Sequence, residues 1–204
     1  TPSNALVFEE KKLLYGSDYF IEKIDSIQYR VSIDSFFQVN IFTGELLFPK
    51  IAEYIDLQPN ESIFDLYSGN GSIGIYLSRQ RNSIIGIEEN PRAVEDAQFN
   101  VQLNSIHSYH AICGRVEKTL HNLIGRSFQK GVVDPPRAGL MPKAIDLLVQ
   151  VHPQKIVYVS CNTSSLARDL AFFAEKNYRL KKITWVDLFP QTPHYEAVAL
   201  IEPS

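Results

Sequence analysis

The chain has 204 residues, 45% hydrophobic and 21% charged, with a formal net charge of -3, which is enough apolar material for a buried core and no basic excess of the kind that holds nucleic acid by charge alone. No stretch approaches the ~18 consecutive apolar residues of a membrane span, and no signal-peptide pattern opens the sequence. Cys113 and Cys161 are the only cysteines, too few for a disulfide framework or a cysteine-ligated cluster, so a reducing, cytoplasmic setting is expected, with no metal site and no membrane.

From Leu6 to Ile33 short alternating segments are broken at Gly16-Ser17-Asp18 and Asp25-Ser26, which predicts a small antiparallel meander with nothing catalytic in it. Asn40 is placed to cap a helix whose apolar positions, Ile41, Leu46, Leu47, Ile51, Tyr54 and Ile55, recur at helical spacing. Strands are expected at Ser62–Tyr67, Ser83–Glu88, around His110–Cys113, and at Gly131–Asp134, Lys155–Ser160, Lys181–Asp187 and Ala197–Ile201. Helices are expected between most of them, at Ser72–Arg79, Pro91–Asn104, Val116–Ile124, Pro142–Val151 and Ser164–Lys176. This alternation predicts an α/β fold with a mostly parallel sheet wrapped on both faces. The last two strands have only a loop between them and should pair antiparallel.

In such sheets ligands lie beyond the carboxyl ends of the strands. The first strand of the alternating zone ends in IFDLYSGNGSIG, where Gly69, Gly71 and Gly74 satisfy G-x-G-x-x-G, and Glu88 closes the next strand. Glycines that let backbone approach a ligand and an acid for a ribose diol suit an adenosine cofactor of any kind. Asp65, just before the loop, is unwelcome to an anionic pyrophosphate, which tilts the reading toward the cationic sulfonium of S-adenosylmethionine. Further along, VVDPPRAGL fixes Asp134 and Arg137 at a strand mouth, because two prolines lock the exit from the sheet.

The strand KIVYVS then ends on Cys161, followed by the polar Asn162-Thr163-Ser164-Ser165, which reads as a turn and helix N-cap. A cysteine there fits core filling or a thiol opening on solvent. DLFPQTPHYEAVALI places His194 and Glu196 ahead of the final strand. Each alone reads as an ordinary surface residue; together with Cys161 they set a nucleophile candidate and base candidates on neighbouring loops.

The segments FFQVN (36–40), DLYSGNGSIG (65–74), GIEENPRAVEDAQFN (86–100), DPPRAGL (134–140), SCNTSSLARDL (160–170) and DLFPQTPHYE (187–196) resemble, in order, the S-adenosylmethionine-dependent RNA uracil-5 methyltransferases of ribosomal and transfer RNA. The resemblance implies a class I, Rossmann-like methyltransferase fold, with a seven-stranded sheet whose last strand is antiparallel. It divides the chain into a small β meander over 1–34 and a catalytic domain over 35–204. It places Gln38, Tyr67, Ser72, Glu88 and Asp134 at cofactor contacts beside Gly69 and Gly71, Cys161 as nucleophile and Glu196 as general base. Arg137, Phe37 and His194 are substrate candidates, and Phe36 or Phe189 could also stack on a flipped base.

The implied reaction explains the pair. Uracil C5 is a poor nucleophile, so a thiolate adds to C6 and pushes electron density to C5, which takes the methyl group; a base then removes the C5 proton. A positive neighbour such as Arg137, or the following helix N-terminus, is expected to favour the thiolate. The partner is RNA, acted on by a monomer. The FPQTPHYE segment points to 23S ribosomal RNA, with uridine 54 of tRNA as the alternative. This sequence departs from the family in having Thr163 where proline usually follows Ser-Cys-Asn, Tyr67-Ser68 for Phe-Cys, and Arg115 where a small polar or acidic adenine contact is expected. A base amino-group methyltransferase would want an aromatic residue where Arg137 stands and leaves Cys161 idle. A nicotinamide dehydrogenase fits only the glycine loop. A noncatalytic RNA-binding module is the third rival.

Overall fold

The computed structural model describes residues 12–33, 43–78, 82–188, 190–192 and 194–204. The expected Asn40 cap, Gln38, Phe36, Phe37 and Phe189 lie outside the described residues. A hairpin of β1 (Tyr19–Ile24) and β2 (Ile27–Ser32) comes first, turning at Asp25-Ser26 with Asp25 in the left-handed region at φ 54. There follow α1 (Thr43–Ile55), β3 (Ser62–Leu66), α2 (Ser72–Leu77), β4 (Ser83–Glu88), α3 (Pro91–Leu103), β5 (Tyr109–Cys113), α4 (Val116–Thr119), β6 (Lys130–Val133), α5 (Pro142–Gln150), β7 (Lys155–Ser160), α6 (Thr163–Glu175), β8 (Tyr178–Val186) and β9 (Glu196–Pro203).

The seven strands from β3 onward form one sheet in the order β5-β4-β3-β6-β7-β9-β8. Pairing is parallel from β5 to β7, and β9 runs antiparallel to both β7 and β8. The chain leaves β3 toward β4 and β5, then crosses back to β6 on the other side. The carboxyl ends of β3 and β6 therefore flank the topological switch point where such sheets hold ligands.

Strand side chains alternate faces, and the buried strands carry apolar residues on both. Ile63, Val132, Val157, Val159 and Val198 pack with α1, α2 and the hairpin, through Leu47, Phe48, Ile51, Ile75 and Tyr29. Phe64, Val133, Ile156, Tyr158 and Ala199 pack with α4 to α6, through Val116, Leu148 and Phe173. Each such Leu, Ile or Phe withdrawn from water contributes roughly 1.5–3 kcal/mol.

The hairpin is fastened by hydrogen bonds as well as by packing. Asn104 accepts from the Gln28 amide at 2.9 Å and donates to its carbonyl at 2.7 Å, so one side-chain amide does the work of a neighbouring strand. Asn100 accepts from the Arg30 amide at 2.5 Å and donates to the Asn70 carbonyl at 3.1 Å. Fully buried Asp96 accepts from the Ser32 amide and hydroxyl at 2.9 and 2.7 Å, and the Arg30 guanidinium pairs with it as an ion pair, Nε 2.9 Å from Oδ1.

Several expected bounds move by one or two residues, and Glu196, expected ahead of the final strand, is the first residue of β9, which runs to Pro203 rather than Ile201; two elements differ more. The run Val116–Ile124 is not one helix: α4 ends at Thr119 and Leu120–Leu123 tightens into a 3-10 turn, closing toward Gly125 at φ 90. Strand β8 starts at Tyr178 rather than Lys181, because Asn177, in the left-handed region at φ 64, ends α6 and the chain extends at once. Its alternation is faint in sequence because it is an edge strand, mostly exposed, with an irregularity between Leu180 and Lys182.

Candidate active site

The β3–α2 turn is a tight structure in which glycine has a reason. Gly71 sits at φ 79 and caps α2, and the Gly71 amide bonds back to the Ser68 carbonyl at 2.8 Å. Tyr67, bulky yet at φ 59, shows how strongly the surroundings impose the turn. Glu88 is tied into it: one carboxylate oxygen accepts from the Gly69 amide at 3.0 Å and the other from the Asn90 amide at 2.8 Å. Those bonds fix the Glu88 carboxylate at the rim between β3 and β4, and each oxygen keeps a lone pair. Beneath the turn, Asp65 Oδ2 accepts from the Gly74 amide at 3.0 Å while Oδ1 is buried without a hydrogen bond. A methyl group at Gly74 would fall 2.6 Å from that Asp65 oxygen and 2.3 Å from the Tyr109 ring, so the backbone comes this close only with glycine.

The second half of the rim consists of the loops after β6 and β7, which are bolted together. Asn162 caps α6 by accepting from the Ser164 amide at 3.0 Å, and its amide group donates to the Arg137 carbonyl at 3.0 Å. Ser160 Oγ accepts from the Asn162 amide at 3.1 Å, closing the turn around Cys161. Behind it, fully buried Asp169 accepts from the Leu140 amide at 2.7 Å, the Tyr158 hydroxyl at 2.7 Å and Arg168 Nε at 2.9 Å. Arg168 also donates to the Ala138 and Leu140 carbonyls at 2.8 and 3.2 Å. Gly139, at φ 76, sits where an added Cβ would be 2.5 Å from Asp169. The segments DPPRAGL and SCNTSSLARDL are thus the two sides of one clamp.

The register of the sheet brings the reactive candidates to one face. Ser160 is paired with Ala197 in the ladder's last pair, so Cys161 and Glu196 are the next residue on either side at that end of the sheet. Positions Asp65, Asp134, Cys161 and Glu196 continue the alternation of Ile63, Val132, Val159 and Val198, all of which face α1. The result is a staggered row of acids, from Glu88 and Asp65 at the glycine turn through Asp134 to Glu196 beside the thiol.

Burial dominates the electrostatics of this row. It pushes Asp65 up to about 7, against the Gly74 amide and with the help of Glu88, and pushes Glu196 up to about 7. Burial first, then the Glu196 and Asp65 carboxylates, holds Asp134 well above the usual carboxylate range. The Cys161 thiol is also raised, by burial and then by Glu196 and Asp134. Arg137 and the cysteine's own amide pull it down, the direction expected from sequence, but the desolvation and the two carboxylates outweigh them.

The candidates thus fall into two adjoining groups: Tyr67, Gly69, Gly71, Ser72 and Glu88 around the glycine turn, and Asp134, Arg137, Cys161 and Glu196 across the switch point. His194 is exposed on the loop before β9, its amide bonded to Thr192 Oγ1 at 3.2 Å. Arg115 is turned to Glu89 and Glu117, at 3.8 and 3.6 Å. The clamp residues Arg168 and Asp169 and the hairpin anchors Asp96 and Asn100 did not stand out in the sequence. The available signal was a polar residue inside an apolar helical stripe, as in Leu166, Asp169, Phe173.

The sequence profile of the tRNA (uracil-5-)-methyltransferase family matches residues 8–203. The chain belongs to this family. An uncharacterized RNA methyltransferase of Caldanaerobacter subterraneus is 41% identical over 202 residues, covering 99% of this chain and 45% of that protein. One of Lactobacillus johnsonii is 38% identical over 202 residues, covering 98% and 45%. Among solved structures, the Pyrococcus abyssi tRNA (uracil-54, C5)-methyltransferase in complex with S-adenosyl-L-homocysteine superposes with a TM-score of 0.81 at 35% identity, over 92% of this chain and 45% of that one. The chain therefore spans about half the length of these relatives. The Rossmann-like architecture with an antiparallel last strand, expected from sequence, is that of a methyltransferase of this family.

Proposed function

We propose that the protein of which this chain forms part methylates C5 of a uridine in RNA, with S-adenosylmethionine as methyl donor, Cys161 as nucleophile and Glu196 as base. The observation that carries the reading is the register of β7 and β9: the ladder's last pair is Ser160 with Ala197, and Cys161 and Glu196 are the next residue on either side at that end of the sheet. The half-exposed thiol faces substrate while the buried carboxyl stands behind it.

The residues present fit the cofactor. A turn that only glycine permits, the Glu88 carboxylate fixed by two backbone amides, and a row of acids leading to the thiol suit an adenosine attached to a cationic centre. Glu88 would hold the ribose hydroxyls, with Tyr67, Gly69, Gly71, Ser72, Asp134 and Gln38 as further contacts. When bound, the sulfonium supplies the electrophilic methyl group.

The protein's own part is proton and bond management. Cys161 gives up its thiol proton to solvent, the sulfur bonds to uracil C6, and the C5=C6 π pair moves to C5, which becomes the nucleophile. After C5 has gained the methyl group, ionised Glu196 takes the C5 proton; the C5–H pair re-forms C5=C6 and the C6–S bond breaks, returning the thiolate. Arg137, held at its carbonyl by Asn162, supplies positive charge near the thiol and the oxygens of the base or a phosphate. The target base must leave its stack to reach this rim, at a cost of a few kcal/mol; Phe37 and His194 are its proposed contacts. The hairpin within 1–34 is read as the end of a preceding module and 35–204 as the catalytic domain, working as a monomer in the cytoplasm.

For the RNA we retain 23S ribosomal RNA, and the likeness to a tRNA (uracil-54, C5)-methyltransferase supports tRNA as the second reading. The full-length protein with S-adenosylmethionine and transcripts of each RNA should yield 5-methyluridine in the nucleoside digest of one of them. Transfer to an exocyclic amino group, with C5 of uridine untouched, would overturn the proposal.

A further inference from the structure

The residues just before β9 help to line a concavity of their own. Trp185, Asp187, Thr192, His194 and Tyr195 line an open pocket of about 440 Å3, within the roughly 300–1,000 Å3 range of small-ligand sites. Trp185 and Tyr195 meet edge to face with ring centroids 5.1 Å apart, yet stay 50% and 38% exposed. Two rings that brace each other while remaining open are a platform rather than a core contact. The remaining lining residues are polar: Asp187, Thr192 and His194. His194 is held in its turn by the bond from its amide to Thr192.

The position names the ligand. Trp185 is paired with Ala197 and Val186 with Glu196, so the pocket adjoins the base residue on the same rim. Trp185 and Val186 are consecutive in β8 and are paired with Ala197 and Glu196, so strand alternation sets Trp185 on one face of that rim and Glu196 on the other. A single strand crossing it meets the Cys161–Glu196 pair on one side and the aromatic platform on the other. Aromatic rings ringed by hydrogen-bonding groups are how proteins hold unpaired bases.

We propose that this pocket seats an unpaired nucleobase neighbouring the target uridine, stacked on Trp185. The identity of the ligand rests on the uracil-5 methyltransferase reading above; the existence of a nucleobase site does not.

Trp185 is the chain's single tryptophan, which gives a readout independent of catalysis. In the full-length protein, the fluorescence difference between wild type and Trp185→Phe should be quenched saturably by a short oligoadenylate. With an RNA that is methylated, Trp185→Ala should raise KM about ten-fold with kcat within about two-fold, and Trp185→Phe should recover most of the loss. An abasic nucleotide beside the target should cost the wild type a similar factor and cost Trp185→Ala nothing further. Wild-type KM in Trp185→Ala, or an unquenched tryptophan with RNA bound, overturns the pocket while leaving methylation standing. Quenching by RNA without methyl transfer to uridine C5 overturns the reading of the reaction and leaves the nucleobase site intact.

Discussion

Replacing Asp169 by alanine tests whether the clamp behind the thiol loop is as tight as its geometry implies. The carboxylate is fully buried and accepts from the Leu140 amide and the Tyr158 hydroxyl, both at 2.7 Å, and from Arg168. The Arg168 side chain is 47% exposed and can turn to water, so its share is discounted. The Tyr158 hydroxyl and Leu140 amide cannot, and a buried donor left unpaired costs about 1–3 kcal/mol. Two of them give a loss of about 4 kcal/mol, or roughly 10 °C in Tm for a chain of this size. Urea and thermal unfolding of Asp169→Ala, Tyr158→Phe and the double variant measure it. A coupling of about 1–2 kcal/mol between the two sites is expected, because Tyr158→Phe removes the very donor that Asp169→Ala orphans. Stability within about 0.5 kcal/mol of wild type for Asp169→Ala, or an equal cost of Tyr158→Phe in both backgrounds, refutes the reasoning.

Three further outcomes follow from the site. Glu196 is raised from 4.5 to about 7 in the folded chain, so folding binds a proton between those values and its contribution, about 3 kcal/mol, is present below pH 4.5 and lost as pH rises through 7. Glu196→Gln should flatten that slope in pH-dependent unfolding, and in the wild type the acid limb of kcat/KM should lie near 7, since only the ionised carboxylate accepts the C5 proton. Glu88→Ala should weaken S-adenosylmethionine binding by about ten-fold or more in calorimetry, and Glu88→Gln by less, because the amide still reaches a ribose hydroxyl. Asn100→Ala unpairs the Arg30 amide and the Asn70 carbonyl, so it should cost about 2 kcal/mol in unfolding and loosen the glycine turn that Asn70 belongs to.

Much of this architecture is legible because local chemistry marks it. Ser83–Glu88 and Lys155–Ser160 are bounded as expected, since each is a buried apolar run that stops at a polar turn with a capping Asn, Asn90 or Asn162. Strand order is different in kind: β3 lies between β4 and β6, a choice made by contacts distant in sequence. Cys161 and Glu196 could be nominated from motif and residue type, but their meeting at one end of the sheet depends on the β7–β9 register. The clamp was invisible because an Arg-Asp pair on a helix reads as solvated surface. Only the fold shows that Asp169 points inward to Tyr158 and Leu140 while Arg168 reaches across to the loop after β6. The raised thiol was equally hidden, as it depends on burial first and then on carboxylates contributed by two other strand ends.

The central claim is the covalent pair, and 5-fluorouridine tests it most directly. Fluorine at C5 cannot be removed as a proton, so elimination stops after methyl transfer and the enzyme stays bonded to C6. Full-length protein, S-adenosylmethionine and a 5-fluorouridine transcript, run on a denaturing gel, should give a protein–RNA adduct that is absent without cofactor and absent in Cys161→Ala. An adduct that persists in Cys161→Ala, or methylation without any adduct in the wild type, would contradict the assignment of Cys161 as the nucleophile.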